Sequence, residues 1–219
     1  MVLTAFVCQL LLAATYGGAM AASAQGKVRI VALGDSLTAG YLLKPSEAFP
    51  VQLEAALKAA GQDVEVRNAG VSGDTTAGGL ERLDWSVGEG IDAVILELGA
   101  NDALQAMDPK RTRTNLDKII VSLKAKGVNV LLAGMVAPRN LGNGFTSIFD
   151  PIYPELAKTH DVLLYPFFLE GVAMDQTLNL GDGLHPNSRG VAKIVNNMMP
   201  SVMQLIEQVR KRKGGETRG

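Results

Sequence analysis

The chain has 219 residues, 47% hydrophobic and 20% charged, which supplies enough apolar material for one full core. Its 21 basic and 22 acidic residues leave a formal net charge of -1, so composition carries no broad attraction to nucleic acid, and nucleic acid is set aside as a partner. A single cysteine, Cys8, and two histidines exclude an internal disulfide framework and a structural zinc site, and no metal is expected.

Residues 1–24 hold no charged side chain. The apolar stretch from Val2 to Ala14, followed by small residues closing in Ala22-Ser23-Ala24, reads as a signal peptide cleaved after Ala24, although no basic residue stands near Met1. The apolar run is too short for a membrane span of about 20 residues. A periplasmic or secreted protein is expected, with its domain over 25–219. Cys8 falls in the discarded segment, and a cysteine-free mature chain suits an oxidising compartment.

From Lys27 to Tyr41 the sequence reads KVRIVALGDSLTAGY, an apolar run that ends abruptly in Gly34, Asp35 and Ser36. This is the pattern of a buried parallel strand handing over to a helix. Phe49 to Gly61 sets Leu53, Ala56, Leu57 and Ala60 at helical spacing, with Pro50 in the first turn. Asp63 to Arg67 reads as a second strand leading into a loop, Asn68 to Gly73. Ile91 to Leu98 is a third strand that breaks at Gly99-Ala100-Asn101-Asp102. Asp108 and Pro109 are suited to cap and open a helix, along which Leu116, Ile119, Ile120 and Leu123 form an apolar stripe up to Gly127. Val128 to Gly134 is a fourth strand and Met135 to Gly144 a long loop. A helix around Ile152 to His160 precedes a fifth strand, Val162 to Tyr165. From Asn187 a last helix carries Val191, Ile194, Val195, Met198, Val202, Leu205 and Val209 on one face, with Pro200 expected to kink or split it. Arg210 to Lys213 reads as a solvated basic terminus rather than a membrane anchor.

Five strands alternating with helices predict a three-layer α/β/α sandwich around a parallel sheet, with right-handed crossovers placing every loop after a strand on one rim. Ser36, Gly73, Asn101 and the segment after the fifth strand would converge there. Ser36 is the candidate nucleophile, set against the plain reading of Gly-Asp-Ser as a turn and helix cap. Asp182 and His185 are three residues apart, close enough for the carboxylate to take the Nδ1 proton and leave Nε2 as a base. His160 sits at a helix end near Lys158 and Asp161, where a contact with the helix terminus explains it. The Ser36 amide, the Gly73 amide and the Asn101 side chain are candidate donors to an oxyanion; a turn at Gly73 and an Asx turn at Asn101 are the bland alternatives. Asp35 and Asp102 are read as holding loop geometry.

The blocks GDSLTAGY, NAGVSGDTTAGG, ELGANDAL and DGLHPN resemble the SGNH or GDSL family of ester hydrolases, and within it the bacterial arylesterase, thioesterase I and lysophospholipase L1 group. The similarity runs from about Lys27 to the final helix. It implies a flavodoxin-like fold with a five-stranded sheet, Ser36 as nucleophile, Asp182 and His185 completing a triad, and Ser36, Gly73 and Asn101 forming the oxyanion hole. It also implies no cofactor and a small ester or thioester as substrate. In that group two rim loops line the acyl site, here Ala103 to Asp108 and Val136 to Thr146. Leu104, Met107, Pro138, Leu141 and Phe145 are therefore the expected substrate contacts, on an open and adaptable surface. Three other readings compete. A nucleotide-binding domain would need Gly-x-Gly-x-x-Gly or a P-loop lysine, which GDSLTAG does not supply. An inactive lipid or glycan carrier conflicts with the intact Ser36, Asp182 and His185. A carbohydrate acetyl esterase on the same scaffold is the runner-up, with Trp85 the one tryptophan available for stacking on a sugar.

Overall fold

The structure, a computed structural model, describes residues 26–216. The expected signal peptide at 1–24, with Cys8, lies outside the described residues. Five strands, β1 (Val28–Gly34), β2 (Val64–Gly70), β3 (Ala93–Glu97), β4 (Asn129–Ala133) and β5 (Leu163–Tyr165), form one all-parallel sheet in the order β2-β1-β3-β4-β5. Nine helices accompany them among the described residues. They are α1 (Ser36–Ala39), α2 (Phe49–Ala59), α3 (Thr76–Glu81), α4 (Leu83–Val87), α5 (Ala100–Leu104), α6 (Pro109–Ala125), α7 (Asn143–Phe149), α8 (Ile152–His160) and α9 (Ser188–Glu216). α2 packs beside α9, while α6 packs with α3 and α8, so helices cover both sides of the sheet in the expected three layers.

The central strands are apolar on both faces, as a sheet covered twice requires: every residue of β3 is buried, and so is all of β1 except Arg29. In α2, Phe49, Leu53 and Leu57 are fully buried, each contributing about 1.5–3 kcal/mol through removal from water. Ala60 does not join them; it lies past the helix end and is exposed. Asp108 caps α6 through the Lys110 amide, and the stripe from Leu116 to Leu123 faces the core.

Four local expectations are corrected. β2 continues through Asn68 and Ala69 to Gly70 because its backbone pairs with Ala32 to Gly34 of β1, a non-local partner that outweighs the turn-forming residue types. The break after β3 is a helix, α5, rather than an open loop. The long loop after β4 contains a turn of 3-10 helix at Arg139–Leu141 and then α7, which buries Phe149 in the core. Pro200 does not split α9: it lies on an exposed side together with Asn196, whose carbonyl loses its helical donor where water can replace it.

The basic segment at the end of α9 is also not merely solvated. Arg210 donates to the Gln62 side chain, Arg212 to Asn129, and Lys213 pairs with Asp92 at 2.7 Å, tying the helix end to the amino edge of the sheet.

At the carboxyl edge all five strands stop in register. Gly34 is paired with Gly70 and Glu97, Glu97 with Ala133, and Ala133 with Tyr165. The strand order reverses direction between β1 and β3, so the crevice beyond their ends is the place where an open α/β sheet accepts ligands.

Candidate active site

Ser36 opens α1 directly beyond β1. Asp35 caps the helix by accepting the Leu37 amide at 2.9 Å, and the helix closes at Gly40, so the chain reverses within a few residues and holds the serine at the sheet rim. Space decides the residue types here. A Cβ on Gly34 would lie 2.5 Å from Glu97 Oε2 and 2.7 Å from the Glu97 carbonyl, and one on Gly70 would lie 2.3 Å from the Ala39 amide nitrogen. Two glycines thus let α1 settle against the strand ends.

His185 comes from the loop before α9 and reaches across to the serine, with Nε2 2.9 Å from Ser36 Oγ. Its other ring nitrogen, Nδ1, is 2.7 Å from Asp182 Oδ2. The second Asp182 oxygen, Oδ1, accepts the Leu184 amide at 2.9 Å and the His185 amide at 3.0 Å. Those backbone donors, His185 first, together with the imidazole, hold the Asp182 carboxyl down to about 2. It is therefore charged across the neutral range and fixes which ring nitrogen carries the proton. The Tyr41 ring packs on the imidazole, with centroids 4.5 Å apart and planes 37° from parallel.

Asn101 is the second residue of α5. Its amide nitrogen donates to Asp35 Oδ2 at 3.1 Å and to the Asp74 carbonyl at 2.8 Å, which ties the first, second and third post-strand segments together. Gly73 precedes Asp74 and has φ +82°, a conformation that costs glycine little; a Cβ there would meet nothing within 4 Å. Its neighbour Asp74 is paired with Arg82 at 2.6 Å. The Arg82 guanidinium also donates to the Ala69 carbonyl at 2.8 Å and the Gly34 carbonyl at 2.9 Å. Asp102 is buried and accepts from the Thr76 amide, the Thr76 hydroxyl and the Thr112 hydroxyl, which fixes α5 against α3 and α6. Asp35 and Asp102 thus both hold loops in place.

Beside Ser36 lies a cavity of about 270 Å³ with largely apolar walls. Of the five expected contacts, Leu104 and Pro138 line it, whereas Met107, Leu141 and Phe145 do not. Phe145 belongs to α7 and stacks on Phe149, with ring centroids 5.7 Å apart, so its helix turns it toward the core. The other apolar walls include Leu37, Met135 and Val136 together with Phe167, Leu169, Ala173, Met174 and Leu184 from the segments after β5. The run PFFLEGVAM carried a signal for the missed wall, being an apolar cluster placed after a strand. Arg82 carried none, because its contacts with the Ala69 and Gly34 carbonyls arise only when β1 and β2 pair. His160 lies away from this site and pairs with Asp117 of α6, Nε2 to Oδ1 at 2.7 Å, instead of with its own helix end. Trp85 lies on α4, is 85% exposed and does not line the cavity.

This geometry suits proton transfer from a hydroxyl to an imidazole whose far side is held by a carboxylate, next to a place for an apolar group. Residues 32–193 match the GDSL-like Lipase/Acylhydrolase family. An arylesterase of Vibrio mimicus is 42% identical over 168 residues, covering 76% of this chain and 84% of that protein. The thioesterase 1/protease 1/lysophospholipase L1 of Escherichia coli K12 is 36% identical over 178 residues, covering 81% and 84%. Among solved structures, AlinE4, an esterase of the SGNH-hydrolase family, superposes with a TM-score of 0.70 at 42% identity over 82% of this chain and 96% of that one.

Proposed function

We propose, from the premise that the chain belongs to the GDSL-like lipase/acylhydrolase family, that it hydrolyses aryl esters and short- to medium-chain acyl esters, with weaker action on thioesters and lysophospholipids. The observation that carries this reading is the chain of contacts from Asp182 through His185 to Ser36, 2.7 Å and 2.9 Å long, at the mouth of an apolar cavity. His185 takes the Ser36 proton as Oγ attacks the acyl carbon. The oxyanion is received by the Ser36 and Gly73 amides and by the Asn101 side chain, which shares one of the two N–H groups it gives to Asp35 and the Asp74 carbonyl, and His185 then protonates the departing alcohol or thiol. Water, activated by the same imidazole, hydrolyses the acyl-enzyme and restores the serine. The arylesterase and thioesterase/lysophospholipase names of the two relatives support the choice of substrates. The apolar walls, and the distance of Trp85 from them, argue against acetylated sugars.

The walls also set the steepness of selectivity. A buried methylene contributes at most about 0.8 kcal/mol, roughly fourfold in kcat/KM. Leu184 and Met174 are 53% and 89% exposed, so an acyl chain lying on them stays partly wet and each step falls short of that limit. Nitrophenyl esters from acetyl to palmitoyl, assayed as kcat/KM, should give a broad optimum at short to medium lengths. A sharp optimum at palmitoyl, or turnover confined to acetylated sugars, would refute this reading.

Export is part of the same proposal and rests on the sequence of residues 1–24. The chain expressed in a Gram-negative host should be recovered from the periplasm beginning at Gln25. A protein retained in the cytoplasm with residues 1–24 intact would contradict it. Among the described residues no helix is long and apolar enough to cross a membrane.

A further inference from the structure

Glu97 ends β3 beside Gly34, is fully buried, and has no part in the mechanism above. Its Oε2 lies 2.6 Å from the Thr38 hydroxyl and 3.4 Å from the Asp35 amide nitrogen, while Oε1 has no hydrogen-bond partner. Thr38 and Asp35 stand on either side of Ser36, so one carboxyl group grips both flanks of the nucleophile turn. Asp35 is fully buried as well. It spends Oδ1 on the Leu37 amide and Oδ2 on the Asn101 amide.

Two buried carboxyl groups joined through the Asp35 backbone cannot both stay ionised without a cation between them. Among the described residues no lysine, arginine or histidine forms an ion pair with Glu97. The titratable groups near it are Asp35, itself faced by His185, Asp74 and Asp102, and the Tyr153 phenol. Asp35 has two well-placed donors for its charge, whereas Glu97 has the Thr38 hydroxyl, a long contact with the Asp35 amide, the Thr38 backbone amide and an orphan oxygen.

We infer that Glu97 is a positioning residue acting as a neutral carboxylic acid, fixing Asp35 and Thr38 around Ser36 and leaving Asp35 as the single charge that holds the oxyanion asparagine. The 2.6 Å contact suits this state, since a protonated carboxyl can donate to the Thr38 oxygen. A second charge behind Asn101 would oppose the negative charge that develops on the acyl oxygen. Burial and the neighbouring Asp35 push the Glu97 carboxyl well above its ordinary value, while burial raises Asp35 only to about 6. The inference rests on the ester-hydrolase reading for its catalytic consequence, and two of its three tests need no activity.

The experiment compares the wild-type protein with Glu97→Gln and Glu97→Ala. At about pH 8, where Asp35 is ionised, infrared spectra of the wild type should show the carbonyl band of a protonated carboxylic acid, absent from Glu97→Gln. A group whose carboxyl is raised on folding stabilises most below its unfolded value and loses that contribution as pH rises. The melting temperature of Glu97→Gln should therefore gain on that of the wild type between about pH 5 and pH 8. With nitrophenyl butyrate, Glu97→Gln should keep kcat within about threefold, while Glu97→Ala should lose about tenfold or more in kcat with KM little changed. No protonated-acid band in the wild type overturns the inference, and so does a Glu97→Gln protein that loses stability relative to wild type as pH rises. A folded Glu97→Gln protein that loses tenfold in kcat overturns it too. If Glu97→Gln does not fold, the band must instead be absent from Glu97→Ala, and a band that persists there overturns the inference.

Discussion

Ser36→Ala should lower kcat on nitrophenyl esters by roughly 10⁵- to 10⁶-fold, about 7–8 kcal/mol of transition-state stabilisation, while leaving the fold in place. The size follows from what the proposed mechanism would lose: its nucleophile, and with it the acyl-enzyme. The fold survives because alanine suits the first position of α1, the Asp35 cap on Leu37 is untouched, and the lost hydroxyl is hydrogen-bonded to the His185 ring that faces the cavity. Melting temperature should move by no more than a few degrees. The check is a burst of nitrophenol with a matching acyl adduct by mass spectrometry, present in the wild type and absent from Ser36→Ala. A folded Ser36→Ala protein with near-normal turnover would remove Ser36 from the mechanism.

The layers and strand count were legible because a parallel sheet covered on both faces demands continuous apolar runs, and β1, β3 and β4 are such runs. Helix starts were legible where local chemistry decides them, as with Asp108 and Pro109. What sequence could not supply was pairing. Asn68 and Gly70 favour turns, yet the β1 backbone holds them extended. Arg210 to Lys213 resembles a loose tail until Gln62, Asn129 and Asp92 are seen at the sheet's far edge.

The candidate site divides in the same way. Asp182 and His185 are neighbours in the chain, so their contact followed from spacing, and the rim rule placed both with Ser36. The cavity walls depend on which residues of a post-strand segment turn inward. Phe145 was expected to be a wall from its place in a presumed loop, but α7 directs it onto Phe149, and the segments after β5 supply Phe167 and Leu169 instead. Glu97 stands at the end of an otherwise apolar strand, and a lone carboxylate in that position could have been singled out from the sequence. Its significance depends on Thr38 and Asp35 closing over it, which only the folded chain displays.

Asp182→Asn should cost about 10⁴ in kcat, about 5 kcal/mol, with KM little changed, because the substitution forces the wrong proton onto the imidazole. Asp182 Oδ1 accepts two backbone amides, from Leu184 and His185, and only Oδ2 meets Nδ1. In the Asp182→Asn protein the single side-chain oxygen must stay with those two donors, since an amide group turned toward them would leave three N–H groups facing one another. The NH2 then points at Nδ1 and makes that nitrogen an acceptor. The neutral ring must carry its proton on Nε2, the atom 2.9 Å from Ser36 Oγ, so it can no longer receive the serine proton. Because the loop keeps its two caps, the protein should fold. Asp182 does not line the cavity, so substrate binding is spared. Stability gives a second, signed check. The folded carboxyl is depressed from 3.8 to about 2, so its contribution is present above about pH 4 and disappears as pH falls toward 2. Melting curves of the two proteins should therefore differ slightly at pH 7 and draw together near pH 2. Proton NMR of the imidazole nitrogens in Asp182→Asn should place the proton on Nε2. A proton still on Nδ1, together with a rate loss below tenfold, would show that Asp182 does not orient His185.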